Sequence, residues 1–134
     1  MKTNRVFGAA LGAALAIALA PSVQAEEIGA AEYMEACASC HGESGKGDGP
    51  LAELMTVDVP SLTGLSAAND GAFPMLEVIQ VIDGRTGVRG HGYPMPVWGS
   101  RYKAEAMEAG EYAAEIDVRG RVLSLALYIQ SIQE

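Results

Sequence analysis

The sequence predicts a small helical domain, because three segments have helical patterns and no strand–helix–strand alternation is visible. The clearest pattern lies near the end of the chain, where apolar residues recur at spacings of four, three, four and three, as on one buried helix face. These residues are Val118, Val122, Leu125, Ile129 and Ile132. We expect this helix to begin at Asp117, whose side chain suits the N-cap position.

A second helix is predicted over residues 28–38, where Ile28, Ala31 and Met34 follow helical spacing. Gly29 is unusual there, because glycine inside a helix costs roughly 1 kcal/mol relative to alanine. We therefore expect Gly29 to permit the close approach of the C-terminal helix, near Tyr128.

The third predicted helix covers residues 74–83, with Pro74 suited to its first position and Gly84 to its end. Between these helices, a single helical turn is expected over residues 51–55. A polar, alanine-rich stretch over residues 101–115 is expected to form a partly helical surface connection.

The first 25 residues have the layout of a secretory signal peptide. Lys2 and Arg5 precede an almost wholly apolar run over residues 6–20, and small residues occupy the last and third-last positions of the segment. The apolar run is shorter than the roughly 20 residues that cross a bilayer, so a retained anchor is the weaker interpretation. We expect cleavage after Ala25, which leaves one domain over residues 26–134.

The mature chain is strongly acidic. The full sequence has 9 Lys and Arg against 17 Asp and Glu, and removal of Lys2 and Arg5 leaves 7 against 17, a formal charge near −10. Such a surface repels phosphate backbones, which argues against nucleic-acid binding, and it favours a partner with a basic face.

The most informative stretch is the attachment motif, residues 37–41, which reads Cys-Ala-Ser-Cys-His. Residues three apart share one face of a helical turn, so the sulfurs of Cys37 and Cys40 can reach two vinyl groups on one side of a haem. The imidazole of His41 then falls beneath the ring, where it can bind iron. C-x-x-C-H is the pattern of c-type haem attachment, and it predicts one covalently bound haem c.

Three other interpretations of the two cysteines are weaker. A disulfide between Cys37 and Cys40 would close a very short loop and stabilise little. A redox-active C-x-x-C motif expects a βαβ context, which is not visible. A zinc site that adds His41 and His91 conflicts with helix geometry, because adjacent residues such as Cys40 and His41 do not face the same way.

A glycine-rich segment follows the motif, with four glycines in residues 42–50. It lacks the residue order of a phosphate-binding loop, so we interpret it as a loop around one edge of the ring. Ligating histidines usually donate their second N–H to a carbonyl or carboxylate, and we expect the Pro50 carbonyl to accept it from His41. Leu62 and Leu65 are expected to pack against the haem.

A second glycine-rich segment, residues 85–93, contains Arg85, Arg89 and His91. Haem carries two propionates, and guanidinium groups pair well with carboxylates. Arg85 and Arg89 are therefore candidates for propionate contacts, with a solvated surface position as the equal alternative.

Met95 lies between Pro94 and Pro96. Each proline fixes its own φ and keeps the preceding residue out of the α region, so the methionine is held in a stiff, extended segment. That suits a thioether that must stay on iron, whereas methionine elsewhere is flexible core filler. Trp98 can cover the ring edge and direct its indole N–H to a propionate, although a core tryptophan gives the same pattern.

From residue 28 to residue 132 the chain resembles a class I c-type cytochrome, and a short, exported bacterial protein with one haem is the type we expect. The matching features come in the family's order: residues 37–41, Gly29 and Tyr33, Gly49 and Pro50, residues 95–99, and the terminal helix. The resemblance implies an all-α cytochrome c fold, with three to five helices around one covalent haem and the first and last helices crossing. It also implies His41 as proximal ligand, Met95 as distal ligand and Pro50 as the carbonyl partner of His41.

Histidine at the sixth iron position stays an alternative, because His91 lies four residues before Met95. It would lower the reduction potential relative to methionine. Three further methionines lack flanking prolines: Met55, Met75 and Met107.

Two protein ligands would leave the iron no open site for a substrate, so we expect a periplasmic electron carrier and not an enzyme. Its partners would be a redox protein donor and acceptor with a basic docking face. The alternatives are a haem subunit of a periplasmic oxidoreductase and, from another class, a haem enzyme or gas sensor with a labile sixth ligand.

Overall fold

The structure, a computed structural model, describes residues 20–85 and 95–134. Within these residues there are five α-helices and no strand, which confirms the predicted all-α fold. The helices are α1 (Ala20–Ala36), α2 (Ala38–His41), α3 (Met75–Asp83), α4 (Trp98–Ala106) and α5 (Glu111–Ser131). Single 3-10 turns lie at Ala52–Leu54, Ala67–Asn69 and Met107–Ala109.

Helices α1 and α5 cross at Gly29, as the sequence predicts. A Cβ atom built on Gly29 would overlap the carbonyl oxygen of Ser124 and lie 2.9 Å from the Cβ of Tyr128. The rings of Tyr33 and Tyr128 pack beside this point, with their centroids 5.1 Å apart. The glycine therefore lets the two helix backbones approach more closely than any side chain would permit.

The apolar stripe of α5 faces the core, and its first four members are at most 4% exposed. However, α5 begins at Glu111, so the prediction of a start at Asp117 is wrong. The buried Ala114 lies four residues before Val118 and extends the same face by one turn, which explains the earlier start. Asp117 lies inside the helix, with its carboxylate 4.0 Å from the Arg121 guanidinium.

Helix α4 was not predicted as a distinct helix, because its residues after Trp98 are mostly polar. It is held by Tyr102, which is 1% exposed and lies under the guanidinium of Arg121, 3.7 Å from the ring centroid. Arg121 also donates to the Glu32 and Glu105 carboxylates at 2.8 and 2.7 Å. One arginine thus joins α1, α4 and α5, a contact that no local sequence pattern reveals.

Within the described residues, the N-terminal helix covers Ala20–Ala36 and so includes the predicted cleavage point after Ala25. The remainder of the predicted signal peptide, residues 1–19, lies outside the described residues. No helix in the described part of the chain is long and apolar enough to span a membrane. Cleavage after Ala25 therefore stays a prediction.

We predict that Gly29→Ala lowers the free energy of unfolding of the haem-loaded protein by about 1–3 kcal/mol, because the added methyl group overpacks the α1–α5 contact. Denaturant unfolding followed by far-ultraviolet circular dichroism measures this change.

Gly120→Ala is the matched control, since a Cβ atom there meets nothing within 4 Å and the residue also lies inside a helix. This substitution should raise the free energy of unfolding by about 0.4–1 kcal/mol, because alanine has the higher helix propensity and lowers the conformational entropy of the unfolded chain. Equal stability of Gly29→Ala and the unmodified protein would contradict the close contact.

Candidate haem site

The attachment motif forms a helical turn directly after α1. The backbone N–H groups of Cys40 and His41 both donate to the Cys37 carbonyl, at 3.1 and 2.9 Å. No disulfide joins the two cysteines, and Cys37 is 7% exposed whereas Cys40 is only half-buried. Burial raises the pKa of the Cys37 thiol to about 12. The two sulfurs thus lie on one turn, one facing the interior and one near the surface.

His41 is 6% exposed, and its Nδ1 lies 3.1 Å from the carbonyl oxygen of Pro60. A carbonyl can only accept, so Nδ1 is the donor, and in this tautomer Nε2 carries the lone pair that a metal requires. Burial lowers the pKa of His41, although the bond to Pro60 acts in the opposite direction. Burial therefore favours the neutral imidazole, the form that binds iron.

The predicted role of Pro50 needs correction, because the carbonyl that His41 uses belongs to Pro60. The segment that contains Pro50 folds back onto α2, where the N–H groups of Gly49 and Leu51 donate to the Cys40 and Ser39 carbonyls at 3.1 and 2.8 Å. Pro50 consequently lines a surface recess on the outer side of the motif.

Three glycines with left-handed backbone place Pro60 beneath the histidine. Gly42, Gly45 and Gly47 have φ values of 81°, 77° and 80°, a region that other residues rarely adopt. Gly47 donates to the His41 carbonyl at 2.7 Å, and the Gly45 carbonyl accepts from Leu62 at 2.7 Å. The glycine-rich loop therefore brings residues 60–62 next to His41. This agrees with the expectation that the loop passes around one edge of the ring.

A cavity of about 500 Å³ lies beside the motif. Its size is within the range of roughly 300–1,000 Å³ that is usual for ligand sites. Cys37, His41 and Met95 all line it, and so do the predicted haem-packing residues Leu62 and Leu65. The other lining residues are Pro60, Ser61, Ala68, Asn69, Pro74, Glu77, Val78, Val81, Ile82 and Ile129.

These residues fit a haem. One buried thiol, one neutral imidazole and one thioether face a single cavity whose walls are mostly aliphatic, which matches the donors and the apolar surface that a porphyrin needs. Among the described residues, no group of three or more His, Cys, Asp and Glu side chains is arranged to hold a metal ion by itself.

The structure gives Arg85 different partners from the predicted propionates. Its Nη1 donates to the Glu115 carboxylate at 2.7 Å, and its Nε donates to Asp83. The hydrogen bond from Arg85 holds the pKa of Glu115 down to about 2. Two protein carboxylates already satisfy this guanidinium, and Arg85 does not belong to the cavity lining.

Trp98 also lies away from the cavity lining. Its ring packs on Tyr102 with the centroids 5.7 Å apart, and the Arg101 guanidinium lies 5.2 Å from the centroid on the outer side. The core interpretation therefore fits Trp98 better than a contact with the ring edge. The remaining candidates, Arg89 and His91, are outside the described residues.

The family model for cytochrome c matches residues 26–114, which include the attachment motif, Pro60 and Met95. The chain belongs to the cytochrome c family. No curated protein and no solved structure gives a match. As a cytochrome c, the protein binds haem c covalently through Cys37 and Cys40, and its role is haem-dependent electron transfer.

Sequence reasoning missed Pro60, Asp83 and Glu115. A usable signal existed for Pro60, because it lies two residues before Leu62, a predicted haem contact, in an extended stretch. Asp83 lies only two residues before Arg85, so the sequence places it within reach of the guanidinium. No comparable signal exists for Glu115, which meets Arg85 only when α5 packs near the end of α3.

We predict that replacing both Cys37 and Cys40 by Ala, which prevents haem attachment, abolishes cooperative unfolding. An unfilled cavity of about 500 Å³ would cost on the order of 12 kcal/mol at about 24 cal/mol per Å³, comparable to the whole stability of a small domain. Thermal unfolding of the exported variant, compared with the haem-loaded protein, checks this. A sharp, cooperative transition without haem would contradict the predicted dependence on the cofactor.

Proposed function

We propose that this cytochrome c is a periplasmic electron carrier in which His41 and Met95 are the two axial ligands. The observation that carries the proposal is that both side chains line one cavity together with Cys37. When bound, haem c supplies a one-electron Fe(III)/Fe(II) couple.

The residues around the cavity have distinct tasks in this function. The Pro60 carbonyl holds the His41 ring in orientation and keeps its ligating nitrogen basic. The aliphatic walls, including Val78 and Ile82, keep water away from the haem face. Met95 would complete the coordination, and a thioether ligand favours a relatively positive reduction potential.

Two protein ligands leave no coordination site for a substrate, which is why we propose a carrier and not an enzyme or a gas sensor. A permanent subunit of a larger oxidoreductase would use the same chemistry, and copurification of a partner chain would identify it. Periplasmic location is supported by the signal-like layout of residues 1–25.

The proposed ligation predicts that Met95→Ala removes the sulfur-to-iron charge-transfer band of the oxidised protein. It should also let the reduced protein bind carbon monoxide readily at neutral pH, because one axial position becomes open. Absorption and carbon monoxide difference spectra measure both effects.

Met107→Ala is the matched control, since Met107 is 45% exposed and does not line the cavity. This variant should keep the band and exclude carbon monoxide. If instead the unmodified protein lacks the band, and its reduced form binds carbon monoxide in His91→Ala but not in Met95→Ala, the sixth position belongs to His91.

The proposal extends to a partner with a basic docking face. Residues 26–84 carry 11 Asp and Glu but only one basic residue, Lys46, whereas residues 85–134 carry six acidic and six basic residues. The Lys46 amine is also 2.8 Å from a carboxylate oxygen of Glu134. The whole formal net charge of the mature chain therefore belongs to the part that contains the attachment motif, where a cationic partner would be attracted.

We predict that hexaammineruthenium(II), a cationic reductant, reduces the oxidised protein several-fold more slowly as the ionic strength rises from about 0.01 to 0.5 M, because salt screens the attraction. Stopped-flow absorption at several salt concentrations measures the rate. An anionic iron–EDTA reductant is the control and should show the opposite trend. Rates that do not depend on ionic strength would contradict the electrostatic docking proposal.

A further inference from the structure

The two ends of the segment that carries Met95 meet at one place in the fold. Gly84 ends α3 with φ +65°, and a Cβ atom built there lies 3.1 Å from Cγ1 of Val97. A Cβ atom built on Gly99 would overlap the Asp83 carboxylate and lie 2.6 Å from Nε of Arg85. Residues 83–85 therefore touch residues 97–99, and we call this junction the base contact.

Arg85 is the charged centre of the base contact. Its Nε donates to Asp83 on its own side, while Nη1 and Nη2 donate to the two carboxylate oxygens of Glu115 on α5, at 2.7 and 3.2 Å. The side chains of Arg85, Asp83 and Glu115 are 22%, 17% and 31% exposed. A two-point, partly shielded pairing of this kind is stronger and more directional than an exposed ion pair.

The base contact lies close to Met95 along the chain. Only Pro96 separates Met95 from Val97, and the ring of Pro96 fixes one of the backbone torsions between them. Gly99, at the start of α4, is packed on the carboxylate and guanidinium of the same cluster. Any movement of residues 97–99 away from Arg85 would therefore be transmitted to the thioether.

We propose that Arg85 is a positioning residue for Met95: by binding Asp83 and Glu115, it fixes the base contact and holds the thioether at the haem cavity. The inference rests on the proposed ligation by Met95. Arg85 does not touch the cavity, so it acts by reducing the freedom of the segment that carries the ligand. Without Arg85, the protein would populate forms in which Met95 is dissociated.

The test is a titration of the oxidised, haem-loaded protein with imidazole, which occupies the sixth position only when Met95 leaves it. Apparent affinity for imidazole rises with the fraction of protein whose methionine is dissociated. We expect Arg85→Gln to raise this affinity about tenfold, a loss in the range of one charged hydrogen bond. Arg85→Lys should recover part of the effect, because lysine keeps the charge but not the two-point geometry.

Arg121→Gln is the matched control. Arg121 is 23% exposed and also binds two carboxylates, those of Glu32 on α1 and of Glu105 near the end of α4, and neither residue lies at the base contact. This variant should lower the free energy of unfolding and leave the imidazole affinity within about twofold of the unmodified protein. Glu115→Gln, which weakens the Arg85 pair from the other side, should act in the same direction as Arg85→Gln.

Two results would overturn the inference. One is an unchanged imidazole affinity in both Arg85→Gln and Glu115→Gln while the sulfur-to-iron band is present. The other is an equal rise in Arg85→Gln and Arg121→Gln, which would mean that imidazole reports global stability. A failure of the underlying ligation is distinguishable, because the unmodified protein would then lack the band and Met95→Ala would leave its spectrum unchanged.

Discussion

At Gly29 the backbones of α1 and α5 come into direct contact, and the position of the haem site follows from that crossing. Helix α1 ends at Ala36, and the attachment motif follows it directly, so the direction of α1 determines where Cys37 and His41 lie. Helix α5 contributes Ile129 to the cavity wall, and its Glu115 binds Arg85 of the base contact. A side chain at position 29 would separate the helices and move these walls relative to the motif. The site therefore requires glycine at position 29, even though glycine lowers the stability of an isolated helix.

The parts of the fold that sequence reasoning identified depend on local or nearest-neighbour chemistry. The apolar stripe of α5, the glycine at the helix crossing and the C-x-x-C-H spacing each express one physical requirement within a few residues. The carbonyl partner of His41, in contrast, depends on the path of the chain over many residues. Pro50 and Pro60 were both available, and Pro50 is nearer in sequence, but three residues at positive φ turn the nearer loop back onto α2. After such turns, the proline that is nearer in sequence need not be the one that lies beside His41.

The full set of ion-pair partners of Arg85 also could not be predicted from the sequence alone. The sequence favours two positions equally for this guanidinium, a contact with the haem propionates and a solvated surface. In the structure it binds the carboxylates of Asp83 and Glu115, and Glu115 lies 30 residues away on another helix. Helix α4 was missed for a related reason, because Tyr102 is buried by tertiary contacts with Arg121 and not by an apolar pattern of its own. Interactions between distant segments decide these details.

The two proposed iron ligands are held in very different ways. His41 belongs to a hydrogen-bonded turn, is 6% exposed, and has its Nδ1 bonded to the Pro60 carbonyl, so its own turn and the loop that follows together hold it in place. Met95 is outside the helices, and the described contacts that hold its neighbours join α3, α4 and α5 at the base contact. On the proposed ligation, opening the base contact would release Met95 while the covalent attachment and the His41 side stay in place. The rigidity of the base contact would then determine how firmly the thioether is held, and so how little the surroundings of the haem change when an electron enters or leaves.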